Sequence, residues 1–130
     1  MKKIELQSRI DNLTIIEKLV DEISLTSTFN SDIYANILVG VSEAVNNAIV
    51  HGNKCDPNKM VQIEYSTFSN SILFKVTDEG NGFDYYTISD PTLPDNIENE
   101  SGRGIFLMNN LADEVIFNDK GNEVSLRFFI

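Results

Sequence analysis

Residues 31–52, SDIYANILVGVSEAVNNAIVHG, limit what this chain can fold into, because they read as one long helix with two unlike faces. Ile33, Ile37, Leu38, Val41, Val45, Ala48 and Ile49 recur at helical spacing and require burial against a sheet. Beside them Asn36, Gly40, Glu43, Asn47 and His51 step by four, three, four and four, which stacks them in one stripe along the axis. A solvated helix face carries Lys and Glu in paired spacing. This stripe carries amides, a glycine, one carboxylate and one imidazole instead. It reads as a face turned toward a ligand.

The rest of the chain must supply the sheet. Residues 2–9 alternate apolar and polar and predict a short strand. Asp11 or Asn12 is placed to cap a helix whose apolar face is Leu13, Ile16, Leu19, Val20 and Ile23. Residues 24–30 read as a loop, with Asn30 or Ser31 capping the long helix and Gly52 as its left-handed stop. Residues 60–66 and 71–77 alternate and predict a hairpin turning at Phe68-Ser69-Asn70. Residues 84–101 are polar, acidic and broken by Pro91 and Pro94, which suits a functional lid. Gly102-Arg103-Gly104 then opens a helix over 105–111, and strands over 114–118 and 123–129 close the chain. Helices segregated from a mixed, mainly antiparallel sheet give an α+β fold, a two-layer α/β sandwich with the helices on one face.

The 130 residues fit a single domain, 1–130, with 42% hydrophobic residues to build its core. Acidic residues outnumber basic ones 20 to 10, a formal net charge of -10. Such a chain lacks the electrostatic footprint of a nucleic-acid or anionic-membrane binder, so neither partner is expected. A polyphosphate ligand would have to be neutralised by backbone N–H groups and a divalent cation. The one cysteine, Cys55, forms no internal disulfide and fits a reducing cytoplasm. The first residues lack the apolar centre of a leader, and no run approaches transmembrane length, so a cytoplasmic location is expected.

Three short segments can carry chemistry. Glu43 and Asn47 share a helix face: the amide oxygen suits a hard cation such as Mg²⁺, and the carboxylate can take a proton from an attacking hydroxyl. Asp78-Glu79-Gly80-Asn81-Gly82 follows a strand, where an acid can accept from the exocyclic amine of a base while Gly80 and Gly82 let the backbone approach it. Gly102-Arg103-Gly104 precedes a helix and can offer free N–H groups, with a cationic side chain, to phosphate. Taken singly, each is equally an ordinary polar face or turn. There is no Walker loop and no dinucleotide fingerprint. One histidine cannot build a catalytic triad or a His–Cys metal cluster; His51 reads as a helix-end residue and Cys55 as an unactivated thiol.

In order, these segments are Glu43-Ala-Val-Asn-Asn47-Ala-Ile-Val-His51-Gly52, Asp78-Glu-Gly80-Asn-Gly82 and Ser101-Gly102-Arg-Gly104-Ile-Phe-Leu-Met108. The series resembles the N, G1 and G2 boxes of the GHKL ATP-binding superfamily, and within it the anti-sigma factor serine kinases of the RsbW type. The resemblance covers nearly the whole chain. It implies a Bergerat fold that binds ATP, with adenine at Asp78, Mg²⁺ on Asn47 and Glu43 as the general base. Gly80, Gly82, Gly102 and Gly104 would shape the pocket, with Arg103 to Ile105 near the phosphates. It further implies a homodimer that binds a sigma factor or other regulator in one state and phosphorylates a serine of a STAS-type anti-anti-sigma protein in another. Thr77 departs from the pattern, standing where relatives often carry Arg.

Two functions follow: a protein serine kinase, or a nucleotide-dependent switch that grips a partner without phosphorylating it. Glu43 favours the kinase, because a pure binder has no use for a base. A histidine-kinase catalytic domain fits less well, since the only histidine lies inside the N box.

Overall fold

The structure, a computed structural model, describes residues 2–27, 29–80 and 100–130. Five strands form one sheet: β1 (Lys2–Gln7), β2 (Met60–Thr67), β3 (Ser71–Thr77), β4 (Glu114–Phe117) and β5 (Glu123–Phe129). Their spatial order is β1-β2-β3-β5-β4, and the four pairings are antiparallel. Three α-helices accompany it: α1 (Leu13–Thr26), α2 (Ser31–Asn47) and α3 (Glu100–Leu111). This is the α+β sandwich expected.

Alternation along the strands decides which side chains meet the helices. The register aligns Ile63, Val76, Val124 and Phe117 in one row and Tyr65, Phe74, Leu126 and Val115 in the next. Phe74 and Phe128 meet edge to face at 6.1 Å, a favoured aromatic geometry. Onto this surface α1 buries Ile16, Leu19, Val20 and Ile23, and α2 buries Ile37, Val41, Ala44 and Val45.

Helix α2 starts where its cap predicts: Asn30 Oδ1 accepts from the Ile33 N–H at 2.9 Å. By length and composition residues Ser31–Gly52 are apolar enough to cross a membrane, with mean hydropathy 1.3, which corrects the reading that no run approaches that length. The apolar side is taken up by the sheet. Gly40, expected on the ligand-facing stripe, also belongs to the core: a Cβ there would stand 3.0 Å from the Phe128 ring.

Several boundaries differ from expectation. Helix α1 runs on to Thr26, and neither Asp11 nor Asn12 caps it through a side chain; Asn12 Nδ2 donates to the Gln7 carbonyl instead. Helix α2 ends at Asn47 and passes into a π-helical turn, Ala48–Gly52, so Gly52 is no left-handed stop. The left-handed residues among those described are Lys54, Cys55 and Gly121. Helix α3 begins at Glu100, so Gly102-Arg103-Gly104 lie inside it instead of before it. Gly82 and residues 84–99 of the expected lid lie outside the described residues.

Candidate functional site

The site grows from the junction of α2, its π-helical turn and the end of β3. Asn47 closes the regular part of α2 with its side chain buried, 6% exposed. Both its Oδ1 and its Nδ2 lack a hydrogen-bond partner among the described residues. An unsatisfied buried amide costs about 1–3 kcal/mol, so one kept in a fold marks a place where something else binds. Glu43 lies one turn earlier and half-buried. Gly104 of α3 covers both: a Cβ there would lie 3.0 Å from Glu43 Oε2, 3.3 Å from Asn47 Nδ2 and 3.4 Å from Asn47 Oδ1. The glycine lets α3 close over the carboxylate and amide without a side chain between them. Ile105, next along, points into the core.

Asp78 is the first residue past β3 and is only 7% exposed. Its backbone is tied to the β4–β5 turn, its N–H donating to the Asn122 carbonyl at 2.9 Å and its own carbonyl accepting from Asn122 Nδ2 at 3.2 Å. Its Oδ1 accepts from the Gly80 N–H at 2.8 Å. Burial pushes the carboxyl above the usual carboxylate range; the Gly80 N–H, Lys120 and Lys59 oppose that rise. A buried acid that lines a pocket is suited to accept from a ligand's N–H.

Two glycines make room for it. A Cβ on Gly52 would fall 2.7 Å from Asp78 Oδ1 and nearer still to Oδ2. A Cβ on Gly80 would fall 2.7 Å from the Gly52 carbonyl carbon and 3.0 Å from Asp78 Oδ1. The π-helical turn, with Asn53 N–H donating to the Ala48 carbonyl at 2.8 Å, carries Gly52 into this contact.

Asn47 and Asp78 line one shallow, open pocket between α2 and the sheet, with Ala44, Ala48, Val76, Met108, Phe117 and the Gly121–Val124 segment. Apolar walls with two buried polar groups are what a flat heteroaromatic ring requires. Of the residues singled out in the sequence, Glu43, Asn47 and Gly104 come together on one side and Asp78 and Gly80 on the other, while Ile105 is taken up by the core. Gly102 and Arg103 lie in the first turn of α3, where N–H groups lack intrahelical partners, and Gly82 is not described. Thr77 does not offer its hydroxyl to the pocket: it donates to Glu123 Oε1 at 3.1 Å. Sequence reasoning missed Gly52, Asn53 and Asn122, whose contacts are set by strand register.

The described residues contain no cluster of three His, Cys, Asp or Glu side chains able to hold a metal unaided. A single unpartnered amide oxygen beside a carboxylate fits Mg²⁺ instead, which takes few protein ligands and completes its shell with phosphate and water.

The chain belongs to the histidine kinase-like ATPase domain family, whose model matches residues 6–128. It is similar to the serine-protein kinase RsbW of Staphylococcus aureus strain JH9, 34% identical over an alignment of 100 positions that covers 71% of this chain. The same protein from strains Newman and USA300 matches equally. The match spans 63% of the length of these relatives. Among solved structures it resembles the histidine kinase domain from the Erythrobacter litoralis EL346 blue-light activated histidine kinase, with a TM-score of 0.57 and 18% identity. That likeness covers 93% of this chain and 59% of the other, and bears on the fold alone.

Proposed function

We propose that this chain is an ATP-dependent protein serine kinase of a bacterial partner-switching system. In this reading it sequesters a sigma factor or other regulator as an anti-sigma factor, and phosphorylates a serine of a STAS-type anti-anti-sigma protein. The observation that carries it is the buried, unpartnered Asn47 amide beside the Glu43 carboxylate, across one pocket from Asp78. The similarity to RsbW supports the substrate class. Residues 1–130 would act as one domain, as a homodimer and in the cytoplasm, with 84–101 as the lid.

Each side chain then has a task. Asp78 accepts from the exocyclic amine of adenine. Gly80 and Gly82 let the backbone approach the base. Asn47 Oδ1 would hold Mg²⁺, whose charge offsets that of the phosphates on a chain of formal charge -10. Gly102, Arg103, Gly104 and Ile105 lie near the phosphates, with first-turn N–H groups and a guanidinium as donors. Glu43 takes the proton from the substrate serine hydroxyl as its oxygen bonds to the γ-phosphorus. The bond from that phosphorus to the β–γ bridging oxygen breaks, and ADP leaves.

Glu43→Gln keeps the shape and removes the base. Phosphoserine formation on a STAS-domain substrate, followed by mass spectrometry, is expected to fall by about 10²–10⁴ with nucleotide affinity retained. Transfer at the wild-type rate would remove Glu43 from the chemistry. Nucleotide-dependent gripping of a partner with no transfer by the wild type would favour the switch.

A further inference from the structure

Asn53 lies just past the π-helical turn and is fully buried, 0% exposed, yet it lines neither the pocket nor any part of the proposed chemistry. Its amide is fully used. Oδ1 accepts from the Glu79 N–H at 2.7 Å, while Nδ2 donates to Ser8 Oγ at 2.8 Å and to the Met60 carbonyl at 3.1 Å. Ser8 Oγ in turn donates to the Lys59 carbonyl at 2.6 Å. The Glu79 carboxylate accepts from the Met60 N–H, closing the ring of contacts. One side chain therefore ties together the end of β1, the start of β2 and the loop after β3.

The bond to Glu79 matters most, because the Glu79 N–H belongs to the same peptide unit as the Asp78 carbonyl. That unit is held at both ends: Asn53 grips its N–H and Asn122 Nδ2 grips its carbonyl at 3.2 Å. Fixing the plane of this peptide restrains the ψ angle of Asp78 and so the backbone from which its carboxylate reaches the pocket lining. Gly80 N–H, one residue further on, then meets Oδ1.

We infer that Asn53 is a positioning residue for base recognition, clamping the Asp78–Glu79 peptide against Asn122 so that the carboxylate is aimed before any nucleotide arrives. This deepens the proposed function and rests on Asp78 reading an exocyclic amine. A side chain that acts only by aiming Asp78 matters for ligands that Asp78 reads and not for others. That separates positioning from general stability.

The test compares ADP with purine riboside diphosphate, the same nucleotide without its exocyclic amine, by calorimetry in the presence of Mg²⁺. Asn53→Ala is expected to weaken ADP about tenfold and to leave the amine-free nucleotide within about twofold, so that the wild-type preference collapses. Asn53→Asp, which keeps an acceptor for the Glu79 N–H, is expected to restore most of that preference. In an Asp78→Asn background, Asn53→Ala should add nothing further. Should Asn53→Ala fail to fold, Asn122→Ala reads the opposite end of the same peptide and is expected to show the same selective loss. Equal weakening of both nucleotides, or no weakening, would overturn the inference. A wild type that binds both nucleotides alike would instead overturn the role of Asp78, and the inference with it.

Discussion

Asp78 and Asn47 are both kept in states that a merely structural residue would not keep. Burial raises the Asp78 pKa above its ordinary 3.8, so the folded chain holds that proton to a higher pH than the unfolded chain does. The contribution of Asp78 to stability is therefore greatest below the unfolded value and is lost as pH rises through the folded one. Asp78→Asn removes this cost. Without nucleotide, the variant is expected to gain thermal stability relative to wild type as pH rises above the unfolded-state value of 3.8, measured by thermal unfolding. Its nucleotide binding should be lost at the same time, a trade of stability for function. A gap that stays flat or narrows with rising pH would contradict this. For Asn47, truncation to Ala removes an unsatisfied amide, so apo stability is expected to fall by no more than about 1 kcal/mol in denaturant titration. Truncation of its neighbour Ile49, fully buried, is expected to cost about 2–5 kcal/mol by the same measurement.

Helices α2 and α3 bring the polar groups together through glycines. At Gly104 the nearest atom to an added Cβ is Glu43 Oε2, the free end of a side chain that can rotate aside. Gly104→Ala is therefore expected to fold and bind nucleotide, while displacement of the carboxylate lowers phosphotransfer about tenfold or more in a labelled-ATP assay. At Gly52 the obstacle is Asp78, held by Gly80 and Asn122, so Gly52→Ala is expected to weaken nucleotide binding more than tenfold, roughly 1.4 kcal/mol, in calorimetry. The two glycines also show what a sequence can reveal. The periodicity of α2, the alternation of β2 and β3 and the Asn30 cap are local patterns, and they placed Glu43, Asn47 and Asp78 correctly on helix and strand end. Asn53 meets Glu79 across 26 residues and Asn122 meets Asp78 across 44, contacts that only the sheet register creates. The π-helical turn likewise has no sequence signature: Gly52 looked like a helix stop and proved to be clearance for a carboxylate.

At the scale of the whole molecule, an antiparallel sheet covered by three helices forms a frame with a polar pocket edge, where Asn47 is unpartnered among the described residues and Asp78 is buried. A ligand that satisfies both groups binds the folded chain and not the unfolded one. At nucleotide concentrations a hundredfold above Kd the fold is expected to gain about 2.7 kcal/mol, a Tm rise of about 10 °C. The gain should require Mg²⁺ and should disappear in Asn47→Ala. The most direct test of the site is titration calorimetry of Mg²⁺-ADP and Mg²⁺-ATP into the wild type, Asp78→Asn and Asn47→Ala. Saturable, magnesium-dependent binding to the wild type, lost or strongly weakened in both variants, is the predicted result. Properly folded wild type that takes up neither nucleotide, or variants that bind as well as it does, would contradict it.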